Sequence, residues 1–339
     1  DGGRGADSLY GGAGNDTYVV DHAGDTVSEF GGSGTDTVLS SLSYTLNTFD
    51  AAGIENLVLT GAASINATGN ALANTLTGNA GDNTLDGGTG ADKMLGGDGN
   101  DTYGVDHAGD IVTEGVDGGT DLVRVTTATV NGSYTLGANV EHAILVNTVN
   151  FSLTGNALDN LLTGNAQANG LTGGSGADTL AGGAGADRLT GGAGADTFAF
   201  SAGDSGQSLG FDLITDYSKG LAGTGDRIDY SAALAIGGSA LAADAFQAAI
   251  HQSTGIASFA AGSGTTLFDA LADIASRFTS ATDSQGEFAF FKVNGAGDYY
   301  LFVSDGVAGV GSGDVVVQLV GVSSIGGIDL TAGNLTLVV

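Results

Sequence analysis

The chain has 339 residues, with 38 Asp plus Glu against 8 Lys plus Arg, a formal net charge of −30, and no Cys, Pro or Trp. Such an acidic balance argues against nucleic acids and anionic membrane surfaces as partners, because it repels the phosphates that such binding depends on; cations are the natural counterpart. Zero cysteine removes disulfides, zinc–thiolate sites and thiol catalysis together, no apolar run is long enough for a membrane-inserted helix, and no basic-then-apolar start resembles a signal peptide.

Two full nonapeptides open the chain, GGRGADSLY from Gly2 and GGAGNDTYV from Gly11, with Asp7 and Asp16 at the sixth position. A third, GGSGTDTVL from Gly31, carries Asp36. The intervening VVDHAGDTVSEF puts Asp25 nine residues after Asp16, again followed by an apolar residue two positions on, so the repeat continues through it. A longer period overlies the short one. GNDTYVVDHAGDTV from residue 14 returns as GNDTYGVDHAGDIV from residue 99, an offset of 85 residues. Each long unit holds a nonapeptide run and a spacer with SYTL in it, and the alternating apolar residues of IENLVLTG and VEHAILVN predict strands that extend one solenoid.

The second run, residues 69–103, has Asn74, Asn83, Asp92 and Asp101 at position six. The third, residues 155–200, writes five blocks without a gap: GNALDNLLT, GNAQANGLT, GGSGADTLA, GGAGADRLT and GGAGADTFA. In each block a glycine-rich turn closes on Asp or Asn, and a three-residue strand follows with a bulky apolar residue at its centre. Leu162, Leu171, Leu180, Leu189 and Phe198 are therefore predicted to stack as a core. Two blocks make one turn of a coil, so blocks 18 residues apart lie one strand spacing apart, and Asp178 falls beside Asp196 on one edge. Stacked carboxylates that close repel each other unless a divalent cation lies between them. Calcium, with about six to eight oxygen ligands, suits carboxylates and turn carbonyls better than magnesium or zinc does. Asn is a neutral, weaker ligand, so Asp92 beside Asn74, Asp101 beside Asn83 and Asp187 beside Asn169 rank below the Asp178 and Asp196 pair. Metal binding and folding are expected to be one event, because an acidic, glycine-rich chain repels itself without cations.

Past Phe200 the nonapeptides stop. FDLITDYSKG and GDRIDYS read as strands and turns that close the coil, residues 240–251 and 266–278 as helices, and EFAFFKV, DYYLFVSD, DVVVQLVG and LTLVV as strands. The chain thus divides into residues 1–68 and 69–154, each a repeat run with its spacer, a third run at 155–202, and a mixed β-rich cap at 203–339 with one or two helices.

The nonapeptides, the NDTYVVDHAGD spacer and the ending ADTFAF, FDLITDYSKG and DRIDYS resemble the RTX, or hemolysin-type calcium-binding, proteins of Gram-negative bacteria. The ending is similar to the C-terminal region of serralysin-type secreted proteases. The resemblance implies an all-β-dominated fold, a right-handed parallel β-roll that holds several calcium ions. The implied ligands are the side chains of Asp7, Asp16, Asp36, Asp92, Asp101, Asp178, Asp187 and Asp196, with turn carbonyls at Gly87, Gly96, Gly173, Gly182 and Gly191. It also implies export by type I secretion machinery through an uncleaved signal in the cap, and an extracellular or cell-surface location. Asn74, Asn83, Asn160 and Asn169 depart from the pattern and put calcium at those edges in doubt.

Other chemistry is weaker. GQSLG at 206–210 matches G-x-S-x-G, but it sits between a coil and a turn with His251 as the one later histidine, and no HExxH occurs. His22 and His107 recur in copied VDHAGD turns, where a hydrogen-bonding role is expected, while Asp21, Asp25, Asp106 and Asp110 beside them could add calcium ligands. Asp298, Asp305 and Asp314 read as solvated turn acids. No catalytic constellation is left over, so the chain is read as a non-enzymatic, calcium-folded surface protein of S-layer, filament or adhesin type. Self-association is expected through an open coil end at Asp1 or through edges such as Val315 to Val320. The alternative, favoured by a start inside a repeat, is the calcium-folding and export region of a larger secreted hydrolase or toxin whose active domain lies upstream.

Overall fold

The computed structural model describes residues 1–29, 33–46, 53–201, 204, 212–218 and 225–230, and beyond these the segments 235–236, 249–250, 256–258, 287–291, 299–303, 315–320, 322, 327–331 and 334–338. The chain forms two compact units, Asp1–Asn147 and Thr148–Val339. Among the described residues both are all-β, and no helix is long and apolar enough to cross a membrane.

In the first unit, short strands stack in parallel, with consecutive repeats alternating between two sheets so that two repeats make one turn. One sheet runs through Thr17–Val20, Thr37–Ser40, Asn56–Leu59, Thr75–Thr77, Lys93–Leu95 and Ile111–Thr113. The other runs through Tyr44–Thr45, Ala67–Thr68, Thr84–Asp86, Thr102–Val105, Leu122–Val125 and His142–Leu145. The spacer strands Asn56–Leu59 and His142–Leu145 are members of these same sheets, as their alternation predicts. Leu57, Leu76, Met94 and Val112 from one sheet, and Leu85, Tyr103, Val123 and Ala143 from the other, are all buried. The arrangement follows from side-chain period two: a three-residue strand points its central apolar residue in, and a four-residue strand such as Asn56–Leu59 points in its second and fourth.

The second unit repeats this. Leu161–Thr163, Thr179–Ala181, Thr197–Phe200 and Arg227–Tyr230 pair in parallel, as do Phe151–Thr154, Gly170–Ser175, Arg188–Ala193, Asp212–Ile214 and Val315–Leu319. Leu162, Leu171, Leu180, Leu189 and Phe198 are fully buried, as the block pattern requires. Each sheet then turns antiparallel. Asn334–Val338 pairs with Arg227–Tyr230 and with Gly327–Thr331, while Tyr299–Val303 lies between Val315–Leu319 and Glu287–Phe291.

Two expectations change here. Val315–Leu319 is no free edge: it is parallel to Asp212–Ile214 on one side and antiparallel to Tyr299–Val303 on the other, and Val315, Val316, Val317 and Leu319 are buried. Its apolar run, interrupted only by Gln318, fits an interior strand covered on both faces. The helix expected at 240–251 does not reach its end, because Ala249–Ile250 is a strand paired with Ile256–Ser258. The rest of that helix, the one at 266–278, the GQSLG motif, His251, Asp298, Asp305 and Asp314 lie outside the described residues.

Candidate metal centres

Each turn ends on a position-six acid whose backbone N–H reaches the corresponding acid of the next turn. In the second unit the N–H of Asn160 donates to Asp178 Oδ1 (2.8 Å), that of Asp178 to Asp196 Oδ1 (3.0 Å) and that of Asp196 to Asp226 Oδ1 (3.0 Å). On the other edge Asn169 donates to Asp187 Oδ1 and Asp187 to Asp212 Oδ1, each at 2.8 Å. In the first unit the same ladder joins Asp7 to Asp25, Asp16 to Asp36 and Asp36 to Glu55. It continues in Asn74 to Asp92 and Asp92 to Asp110 on one edge, and in Asn83 to Asp101, Asp101 to Asp121 and Asp121 to Glu141 on the other.

One carboxylate oxygen of Asp92, Asp101, Asp121, Asp178, Asp187 and Asp196 is thereby held, while Asp7 and Asp16 stand at the start of their ladders and only donate. The second oxygen is not held: Oδ2 of Asp7, Asp16, Asp92, Asp101, Asp121, Asp178, Asp187 and Asp196 is buried without a hydrogen-bond partner. Leaving an ionised group buried and uncompensated costs on the order of several kcal/mol, so a row of such oxygens calls for a cation or for protons. Burial pushes the Asp178 carboxyl up to about 6, with the nearby Asp196 and Asp159 charges adding to it against the bond from Asn160. Asp92 and Asp101 are likewise raised to about 6, and Asp187 to about 7, with burial the largest cause in each.

The first glycine of each block makes room for that oxygen. A Cβ on Gly173 would overlap the Asp178 carboxylate and lie 2.6 Å from the Gly191 carbonyl oxygen, so both oxygens converge on the space a side chain would fill. Gly87, Gly96, Gly182 and Gly191 stand in the same relation to the carboxylates of Asp92, Asp101, Asp187 and Asp196. The second glycine has another reason to be there: Gly174 has φ 119°, in the left-handed region that only glycine enters freely. Hard oxygen donors in carboxylate and carbonyl pairs fit calcium.

The Asn blocks are built differently. Asn74 Oδ1 accepts the N–H of Asn70 at 2.7 Å and its amide nitrogen donates to the Ile54 carbonyl at 3.1 Å. Asn83 bonds the N–H of Asn79 and the Ile65 carbonyl, and Asn169 the N–H of Asn165 and the Phe151 carbonyl. An amide carries its own donor, so it satisfies carbonyls that an acid could approach only with a cation between. Other acids close ladders through backbone donors. Asp25 accepts from Asp7, Asp21 and His22, and Asp110 from Asp92, Asp106 and His107, which leaves neither carboxylate short of partners. Asp226 accepts from Asp196 and Ser218. His22 and His107 take the N–H of Gly24 and Gly109 on Nδ1 at 3.0 Å, the turn role expected of them.

A family model described as the RTX calcium-binding nonapeptide repeat matches residues 1–21, 68–103, 154–187 and 172–205. The chain carries RTX calcium-binding repeats. No match was found among curated proteins. RTX repeats bind calcium, and proteins built on them are typically secreted by Gram-negative bacteria. In this RTX chain the ladder gathers all the proposed Asp ligands, and it ranks them less steeply than the Asn content of their blocks implied. Asp187 follows Asn169 but also precedes Asp212, as Asp92 precedes Asp110 and Asp101 precedes Asp121. Sequence reasoning missed Glu55, Asp121, Glu141, Asp212 and Asp226 as ladder members. Their signal is an acid followed two residues later by an apolar strand centre, outside a full nine-residue glycine block. A cation held in these gaps would supply the positive charge that lets the buried aspartates stay ionised.

Gly173→Ala should raise the calcium concentration needed for folding, read as the midpoint of a circular-dichroism titration; an unchanged midpoint would show that the cradle beside Gly173 is not used. Asp178 sits at about 6 in the fold against an ordinary 3.8, so proton uptake favours the metal-free fold fully below the lower value and that help is lost as pH rises through the upper one. In chelator, β-signal should therefore grow between about pH 8 and about pH 4.5, while at limiting calcium the midpoint should rise over the same range as protons compete with the ion.

Proposed function

We propose that this chain is a non-enzymatic, calcium-folded structural protein of the bacterial surface, of S-layer, filament or adhesin type, exported by type I machinery. The observation that carries the reading is where the buried acids go. In each unit they line the gaps between successive turns, one oxygen on the backbone ladder and one facing a glycine cradle. Acids placed this way serve cation-dependent folding of a long, regular surface. A chain whose metal-free fold strains under its own carboxylates stays unfolded where calcium is scarce and folds where it is abundant, which suits export through a narrow channel followed by assembly outside.

Self-association through Val315–Leu319 is not part of this proposal, since that strand is interior. Calcium-loaded protein should assemble with concentration into ordered layers or filaments visible by electron microscopy, and should coat cells in a calcium-dependent manner. A calcium-saturated monomer at high concentration that leaves cells bare would overturn the surface-protein reading.

A further inference from the structure

Most turn-to-turn gaps offer two position-six acids. Two gaps in the first unit offer a third, because a glutamate stands where a block has its first glycine. Glu114 follows Asp110-Ile111-Val112-Thr113 just as Gly191 follows Asp187-Arg188-Leu189-Thr190. From Gly191 to Asp196 the turn has six residues, whereas from Glu114 to Asp121 it has eight, and the longer turn gives the side chain room. Glu29 occupies the same place before Asp36, with the same turn length.

One carboxylate oxygen from each of Asp101, Glu114 and Asp121 lies within 4.8 Å of the others, and Asp16, Glu29 and Asp36 form the same group. Glu29 is 7% exposed and neither of its carboxylate oxygens has a hydrogen-bond partner. Oδ2 of Asp101 and of Asp121 is buried and unpartnered beside Glu114. A tyrosine completes each group. The Tyr103 hydroxyl donates to Glu114 Oε1, and a Cβ on Gly96 would overlap that hydroxyl and the Asp101 carboxylate alike; Gly11 has the same relation to Tyr18.

We propose that Glu29 and Glu114 convert these two gaps into a distinct class of three-carboxylate cation site, holding calcium more tightly than the ordinary gaps and preferring trivalent lanthanides further still. The physical reason is ligand charge. Adding an acid to a hard-cation site raises affinity, and three buried carboxylates match a trivalent ion's charge. Asp101, Glu114 and Asp121 are buried and sit immediately beside the ends of Thr102–Val105, Ile111–Thr113 and Leu122–Val125, which hold them in place and leave little reorganisation to oppose binding. Burial, followed by the Asp121 and Asp101 charges, pushes the Glu114 carboxyl up to about 8, as is expected of an acid gathered with others around a place for positive charge. The competing arrangement is a permanently protonated glutamate hydrogen-bonded to tyrosine, with no ion. The inference rests on the calcium reading of the repeats.

Terbium is the probe. The chain has nine Tyr and no Trp, so emission excited through tyrosine reports ions close to a phenol. In the full chain folded with calcium, terbium should displace the ion first at these sites and give an early, intense emission phase. Glu29→Gln with Glu114→Gln should abolish that phase and remove the two most tightly held calcium ions per chain, one for each acidic group, with the β-signal retained at saturating calcium. Unchanged emission and ion count would overturn the proposal while leaving the ladder sites intact. Should the double variant not fold, anomalous scattering from terbium-soaked crystals of the unsubstituted chain decides: a peak shared by Asp101, Glu114 and Asp121 supports the site, and peaks confined to ladder aspartates overturn it. An unsubstituted chain that folds without calcium and takes up no terbium would remove the calcium reading itself.

Discussion

The structure depends on the division of labour between the two oxygens of the position-six aspartates. In members such as Asp101, Asp178 and Asp187, Oδ1 takes the backbone N–H of the preceding turn and so fixes the stacking distance, while Oδ2 is buried with nothing to bond. The first contact is what makes the coil regular, and the second is what makes it conditional. A chain with a net charge of −30 that buries a column of acids gains little from its apolar interior until that charge is compensated. Each strand turns only one or two residues inward, so the core alone is thin, and the ions are needed structurally rather than as decoration.

The sequence varies this scheme in a consistent direction along its runs. The ladders at Asn74, Asn83, Asn160 and Asn169 open on an amide and continue through aspartates with an orphan oxygen, and two of them finish on an acid, Asp110 or Asp226, whose two oxygens both accept backbone N–H groups. Amide at one end and saturated acid at the other are both ways to finish a column without an ion. The aspartates between them, with the glutamates Glu29 and Glu114 as a denser variant, carry the demand for cations.

The repeat made the strand centres and the principal ladder acids readable, because a glycine-rich turn and a nine-residue spacing encode a coil directly; Leu162 through Phe198 are buried as that spacing demands. Acids such as Asp121, Glu141 and Asp212 were not legible, since their turns break the nine-residue spacing and they become members of a ladder only through register with a neighbour twenty or more residues away. Glu29 and Glu114 were hidden for a related reason: each stands where other blocks have their first glycine, and only its closeness to two other carboxylates in the fold shows its role. Val315–Leu319 misled because its apolar run looks the same whether a strand is an exposed edge or an interior member, and only pairing with Asp212–Ile214 and Tyr299–Val303 separates the two. The amides of Asn74, Asn83 and Asn169 were visible as departures from the pattern, but that they donate to turn carbonyls in place of a cation could be seen only in the structure.

The central claim is that ion uptake and folding are a single event. Calcium activity from an ion-selective electrode and β-signal from circular dichroism, recorded on the same sample during titration of chelated protein, test it directly. The account predicts that bound calcium and folded fraction rise together through one cooperative transition. A β-signal complete before calcium is taken up, or ions bound stepwise by a chain that stays unfolded, would contradict it.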